Sequence, residues 1–190
     1  MKSKDSNKNN EKDASGKWVI TVSVLSFLLS IVFTFLTTYL SNRLPVFVSI
    51  IILIFVVFIG IISDMVAMAI TYAEEKYFHA KASKKIAGAK TSITLIRNAP
   101  KVSSIFADVV GDVCGILSGG IGTIISLKIT SNYGIDFDLQ VIIGATVAAV
   151  TIGGKARCKI IAKEYSSQIV DKFTKVISLF NFKEKNNKKN

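Results

Sequence analysis

The chain has 190 residues, half of them hydrophobic, and a formal net charge of +11. Its length is that of a single domain. The hydrophobic residues lie in long uncharged runs, such as residues 18–42 and 44–63, and do not follow the pattern of a soluble protein. A helix needs about 20 mostly apolar residues to cross the hydrocarbon core of a membrane. Both runs meet that length, so the composition excludes an ordinary soluble domain.

Four membrane-spanning helices are predicted in chain order, at residues 18–40, 45–69, 102–127 and 137–158. The third includes two aspartates. The fourth has a short uncharged run, so it needs apolar residues beyond the end of that run to reach the length of a span. The short turn SNRLP joins the first two spans and predicts that they form an antiparallel hairpin. The fold class that follows is all-α, a polytopic membrane helical bundle.

Amphipathic and polar segments flank these spans. Residues 72–100 carry an apolar side and a lysine-rich side, which predicts two short juxtamembrane helices that break near Gly88. Residues 160–180 have apolar residues at helical spacing, which predicts a belt-like helix on the membrane surface. The lysine- and asparagine-rich tails, residues 1–17 and 181–190, are predicted to be disordered.

The positive charge follows the predicted topology. Of the 24 Lys and Arg residues, five lie in residues 1–17, seven in residues 71–101 and ten from residue 155 onward, whereas the two opposite turns hold only Arg43 and Lys128. Cytoplasmic loops carry such an excess. We therefore expect a multi-pass protein of the plasma membrane with both termini in the cytoplasm, in contact with the bilayer and its anionic inner-leaflet lipids.

Other classes of function are not indicated. Nucleic acid is not an expected partner, because no nucleic-acid-binding motif accompanies the basic charge. An enzyme is not expected either, because the spans hold no histidine and no pairing of a nucleophile with a base.

The third span contains the stretch FADVVGDVCGILSGGIG, in which Asp108 and Asp112 are four residues apart. A charged aspartate near the centre of a spanning helix costs about 3 kcal/mol, so two of them need compensation. On an α-helix this spacing places both on one face, beside a ridge of small residues. Asp64 is expected at a similar depth in the second span, next to Ser63. Such oxygen ligands suit a hard cation such as Mg²⁺.

A purely structural arrangement is the alternative. Lys155, Arg157 and Lys159 lie at the end of the fourth span, where they could pair with Asp64 and Asp108. Those pairs would compensate the carboxylates without any transport. The residue pattern leaves both interpretations open.

Four segments carry a resemblance to a known family. The sequence GIISDMVAMA, a basic linker ending in LIRNAP, the span with VVGDVCGI and the segment GGKARCKIIA together resemble the transmembrane domain of the CNNM/CorC magnesium and cobalt efflux proteins. The resemblance covers about residues 45–180. The positions that match the family's motifs are Gly60, Ser63, Gly111, Gly154, Lys159 and Ala162.

The chain also departs from that family. Asp112 stands where the motif has asparagine, and Lys155 stands where it has glutamate. The helix at residues 18–40 is an addition, and the CBS-pair module that such proteins commonly carry is not expected here. Lys155 could pair with Asp112 and fill the cation pocket, or it could extend to the cytoplasm and leave the carboxylates to the ion.

The resemblance implies a bundle of three core helices with two juxtamembrane helices and a belt helix, often as a homodimer. It implies binding or sodium-coupled transport of Mg²⁺. The predicted metal ligands are Ser63, Asp64, Asp108, Gly111 and Asp112. The alternative function is a transport-inactive membrane scaffold or partner subunit with internal Asp–Lys pairs.

Overall fold

The computed structural model describes residues 2–86, 88–134 and 139–187, and the side chains of residues 16–39, 43–86, 88–134 and 139–178. These residues form helices and contain no β-strand, which confirms the all-α prediction. In chain order the helices are α1 (Lys2–Arg43), α2 (Val46–Tyr72), α3 (Glu75–Ser83), α4 (Ala89–Arg97), α5 (Ala99–Ser104), a π-helical segment (Ile105–Gly111), α6 (Asp112–Tyr133), α7 (Leu139–Glu164) and α8 (Ser166–Asn187).

Four stretches of helix are long and apolar enough to cross a membrane. They are Gly16–Tyr39, Val46–Tyr72, Ala99–Tyr133 and Leu139–Glu164. Many of their large apolar side chains are exposed, including Phe35 on α1, Phe47 on α2 and Ile152 on α7. An apolar surface of this kind is typical of an integral membrane protein, in which lipid covers it.

The helices extend further at both ends than the sequence predicted. α1 begins at Lys2 and α8 runs to Asn187, whereas residues 1–17 and 181–190 were expected to be disordered. Extending an existing helix avoids the cost of nucleation, and neither tail contains a proline. The last three residues, 188–190, lie outside the described part of the chain, as do residues 137–138 at the predicted start of the fourth span.

The predicted hairpin of the first two spans is wrong. Within the described residues, α1 packs against α6 and the π-helical segment, and its contacts with α2 are minor. The buried face of α2 is already covered by α6 and α7, so α1 lies on the outside of the bundle.

α2 is the central helix of the bundle and contacts α5, α6, α7, α8 and the π-helical segment. Halfway along the spans it contributes to a midspan cluster of buried residues: Leu53, Val57, Ile121 and Ile125. Small residues then let the backbones approach one another. A Cβ atom added at Gly60 would lie 3.0 Å from Cβ of Cys114 on α6, and one at Gly154 on α7 would lie 2.5 Å from Cδ1 of Ile61.

A second cluster joins the end of α2 to the short helices. This juxtamembrane cluster consists of Val66, Ala69, Ile70, Ala73, Phe78, Ala162 and Val170, with Phe78 and Ile70 fully buried. Polar contacts surround it: Ser92 and Thr174 hydrogen-bond at 2.8 Å, and Ser166 donates to the Tyr72 carbonyl at 3.3 Å. α3, α4 and α8 are therefore packed together at one end of the bundle.

Lysine side chains are concentrated at the end of the bundle where α3, α4 and α8 pack together. Lys101 of α5 lies over the ring of Trp18 at the start of α1, and Lys163 of α7 lies over the ring of Tyr72 at the end of α2. The same end carries α3, α4 and α8 with their lysines. We call it the basic end. It is the end that the charge pattern predicts to be cytoplasmic.

Asp171 on α8 fixes that helix to α3. Its carboxylate lies 2.9 Å from Nζ of Lys81 on α3 and 2.9 Å from Nζ of Lys175, with the side chain only 12% exposed. Burial alone would raise the pKa of Asp171, but the hydrogen bonds from Lys175 and Lys81 outweigh it and hold the pKa below its usual value of 3.8. The ionised carboxylate is therefore the form that stabilises the fold.

Because the folded-state pKa of Asp171 is lowered, its contribution is complete above the usual value and is lost as the pH falls through the lowered one. We expect Asp171→Asn to lower the stability of the protein at pH 7 by about 1–3 kcal/mol. The variant should also lose part of the acid dependence of unfolding below about pH 4. Thermal unfolding of purified protein in detergent measures both. Glu164→Gln, at an exposed carboxylate, is the control, and an Asp171→Asn variant as stable as the native protein at pH 7 would contradict the assignment.

Candidate carboxylate site

Asp64 is the most enclosed of the three predicted carboxylates. It lies on the small-residue half of α2 and is 6% exposed. Its Oδ2 atom lies 3.4 Å from Nζ of Lys159 on α7, which makes an ion pair across the two helices. That oxygen accepts no hydrogen bond from the residues that the structure describes, so the contact is one of charge and not of directed bonding. Lys159, 46% exposed, therefore compensates a buried carboxylate from the edge of the bundle.

Ser63, the neighbour of Asp64, links α2 to the π-helical segment. Its hydroxyl donates to the carbonyl oxygen of Phe106 at 2.6 Å. A π-helix pairs each N–H with a carbonyl five residues earlier, and such segments occur mostly as single turns within α-helices. The hydrogen bond from Ser63 fixes α2 at this turn.

The two predicted aspartates lie at the π-helical segment, Asp108 within it and Asp112 directly after its last residue. The turn between them is therefore π-helical and not the regular α-helical turn that the sequence predicted. Both are exposed in the protein, the Asp112 side chain by 72%. Asp108 accepts a hydrogen bond from Ser104 at 2.8 Å.

Lys155 lies against the buried Gly111. A Cβ atom added to Gly111 would be 3.5 Å from Nζ of Lys155, which is ordinary van der Waals contact, so the ammonium group lies directly beside this position. The same Nζ lies 4.0 Å from Oδ1 of Asp112, at the outer limit of an ion pair. The Lys155 side chain is 21% exposed and is thus largely enclosed by the bundle.

The predicted metal ligands divide into two groups. Ser63 and Asp64 lie on α2, with Lys159 beside Asp64, whereas Gly111 and Asp112 lie at the π-helical segment, with Lys155 beside both. Asp108 has its own serine partner. Among the described residues, no three His, Cys, Asp or Glu side chains are grouped as a metal ion requires. The metal-ligand set stays a prediction.

Only some of the small residues predicted to form a ridge along the third span are in close contact with other helices. Gly111, Ser118 and Gly122 are buried, and a Cβ atom added to Gly122 would touch Ile143 and Val147 of α7. Added Cβ atoms at Gly115 and Gly119 would meet nothing within 4 Å. Close packing therefore uses one side of α6.

Sequence reasoning missed the π-helical segment and the bond between Ser63 and Phe106. Neither has a signal in the local sequence, because both depend on the contact of α2 with a distant segment. The pairing of Asp171 with Lys175 did have one, the i, i+4 spacing of opposite charges on a predicted helix.

Comparisons with protein-family models, with curated proteins and with solved structures give no match for this chain. The resemblance to the CNNM/CorC proteins thus rests on the motif residues alone and stays a prediction.

The pair of Asp64 and Lys159 can be tested by a double-mutant cycle. Lys159→Met leaves a buried carboxylate without its cation, and we expect a loss of about 2 kcal/mol, less than for a fully buried pair because Lys159 is partly exposed. Adding Asp64→Asn should recover part of that loss. Thermal unfolding in detergent gives the coupling, with Arg157→Met as the control because Arg157 is exposed on the same helix and forms no ion pair within the described residues. Additive effects of the two substitutions would contradict the pairing.

Proposed function

We propose that the protein is a transport-inactive membrane scaffold or partner subunit, related to the CNNM/CorC transmembrane domain, in which lysines replace the transported cation. The observation that carries this proposal is the position of the two lysines of α7. The ammonium group of Lys159 lies 3.4 Å from Asp64, and that of Lys155 lies beside Gly111 and 4.0 Å from Asp112.

A lysine ammonium group is a compact positive charge on a flexible stem. Placed beside a carboxylate, it satisfies the same electrostatic requirement as a bound cation, at the cost of its own desolvation. A divalent ion entering this region would have to displace Lys155 and Lys159, and their charges would repel it. The replacement of the family's glutamate by Lys155 would reverse the charge at that position of α7.

Divalent-cation binding or transport, with Mg²⁺ as the ion, is the second candidate. It is favoured by the buried Oδ2 of Asp64, which accepts no hydrogen bond in the described part of the chain, and by Asp108, whose described partner is a neutral serine. If Lys159 turned outward, Ser63, Asp64 and the segment around Gly111 would supply oxygen atoms from two helices. Carboxylate and carbonyl oxygens are the ligands that Mg²⁺ prefers.

Uptake of Mg²⁺ into proteoliposomes under an imposed sodium gradient separates the two candidates. We expect the native protein to give no uptake above that of protein-free liposomes. Lys155→Glu, which restores the family's acidic residue, should give measurable uptake if the lysine alone blocks the site. Lys163→Glu is the control, because it changes the net charge equally at an exposed position outside the site.

Uptake by the native protein that is lost in Asp112→Asn and in Asp64→Asn would contradict the scaffold proposal and establish transport. Equal reconstitution of every variant is checked by the amount of protein recovered in the liposomes.

A further inference from the structure

A groove of about 500 Å³ opens at the basic end, between α2, the end of α7 and the first half of α8. Its apolar wall includes Met65 on α2, Ile161 on α7, and Ile169 and Val176 on α8. The volume is that of a small-molecule site, and its composition, mostly apolar with a few polar groups, is also typical of one. Val176 and Ile161 are 52% and 40% exposed, so the groove is open to its surroundings.

The polar residues of the groove all lie on or next to α8. They are Tyr165, Gln168 and Lys172, and among the described residues no acidic side chain lines the groove. Lys172 forms no salt bridge within the described residues. By contrast, Lys175 on the same helix is paired with Asp171. The groove therefore combines an apolar wall with one unpaired positive charge and two hydrogen-bonding groups.

An anionic phospholipid has the complementary chemistry. Its acyl chain is apolar and its phosphate is a negatively charged acceptor, while basic pockets between spanning helices on the cytoplasmic side are known to hold anionic headgroups. A second copy of this chain is disfavoured as the occupant, because its basic end would bring further lysines toward Lys172. A zwitterionic lipid would fill the apolar wall but would gain less from the lysine.

We propose that this groove binds one anionic glycerophospholipid, with an acyl chain against Met65, Ile169 and Val176 and the phosphate at Lys172. The bound lipid would join α2 to α8 beside the juxtamembrane cluster. The proposal requires a membrane environment but does not depend on whether the carboxylate site binds a cation.

The first test compares lipid retention by the native protein and by a variant that lacks the groove lysine. The full chain is purified with phosphatidylglycerol and phosphatidylcholine in equal amounts, and the retained lipids are counted by native mass spectrometry. We expect phosphatidylglycerol to be retained in preference. Lys172→Gln should reduce that preference about fivefold, the effect of one lysine near an anionic surface. Lys90→Gln, which removes the same charge from an exposed position on α4, should leave it unchanged.

The second test locates the acyl chain. In a Trp18→Phe, Tyr165→Trp protein the only tryptophan lies at the groove, and phosphatidylglycerol with brominated chains should quench its fluorescence. Val176→Phe, which fills the groove, should reduce the quenching, whereas Ile160→Phe, at an exposed neighbouring position outside the groove, should not.

Equal retention of the two lipids, or the same loss of preference in Lys172→Gln and Lys90→Gln, would overturn the proposal. So would quenching that is insensitive to Val176→Phe, since the acyl chain would then lie elsewhere.

Discussion

An ionised carboxylate enclosed in a membrane-spanning bundle is stabilised by a positive charge beside it, and the packing of α2 against α7 supplies one. Asp64 lies on α2, the helix that contacts most of the others, and Lys159 reaches it from α7 at 3.4 Å. The two helices can come this close because Gly154 of α7 leaves room for Ile61 of α2, and Gly60 of α2 likewise leaves room for Cys114 of α6. Burial of the charge and close packing of the bundle thus depend on the same part of α2.

The π-helical segment adds a second constraint. It places Gly111 against the ammonium group of Lys155, and the hydroxyl of Ser63 holds it to α2 through the carbonyl of Phe106. The residues that the family resemblance presents as cation ligands are therefore engaged with groups of the chain itself. At the basic end, Asp171 repeats the principle, with one carboxylate held between two lysines of different helices. The buried carboxylates of this protein, Asp64 and Asp171, are thus each paired with a lysine.

The sequence was sufficient to predict four long apolar helices and the short helices, because uncharged runs and amphipathic spacing are local signals. Gly88, with a positive φ of 84°, precedes α4 where a break was expected. The sequence could not predict how the helices pack against one another. The packing of α1 on α6, the π-helical turn beside Ser63, and the exposure of Asp112 all depend on which faces meet. The lysines of α7 were recognised as candidate partners, but spacing alone could not assign Lys159 to Asp64 or Lys155 to Asp112.

Binding of Mn²⁺ to the purified protein, followed by electron paramagnetic resonance, tests most directly whether lysines occupy the cation site. Mn²⁺ favours the same oxygen ligands as Mg²⁺ and gives a signal that distinguishes free from bound ion. The account predicts no stoichiometric binding to the native protein. It also predicts that Lys155→Met with Lys159→Met creates one site, which Asp64→Asn then removes. One Mn²⁺ bound to the native protein, and lost in Asp64→Asn, would contradict the account.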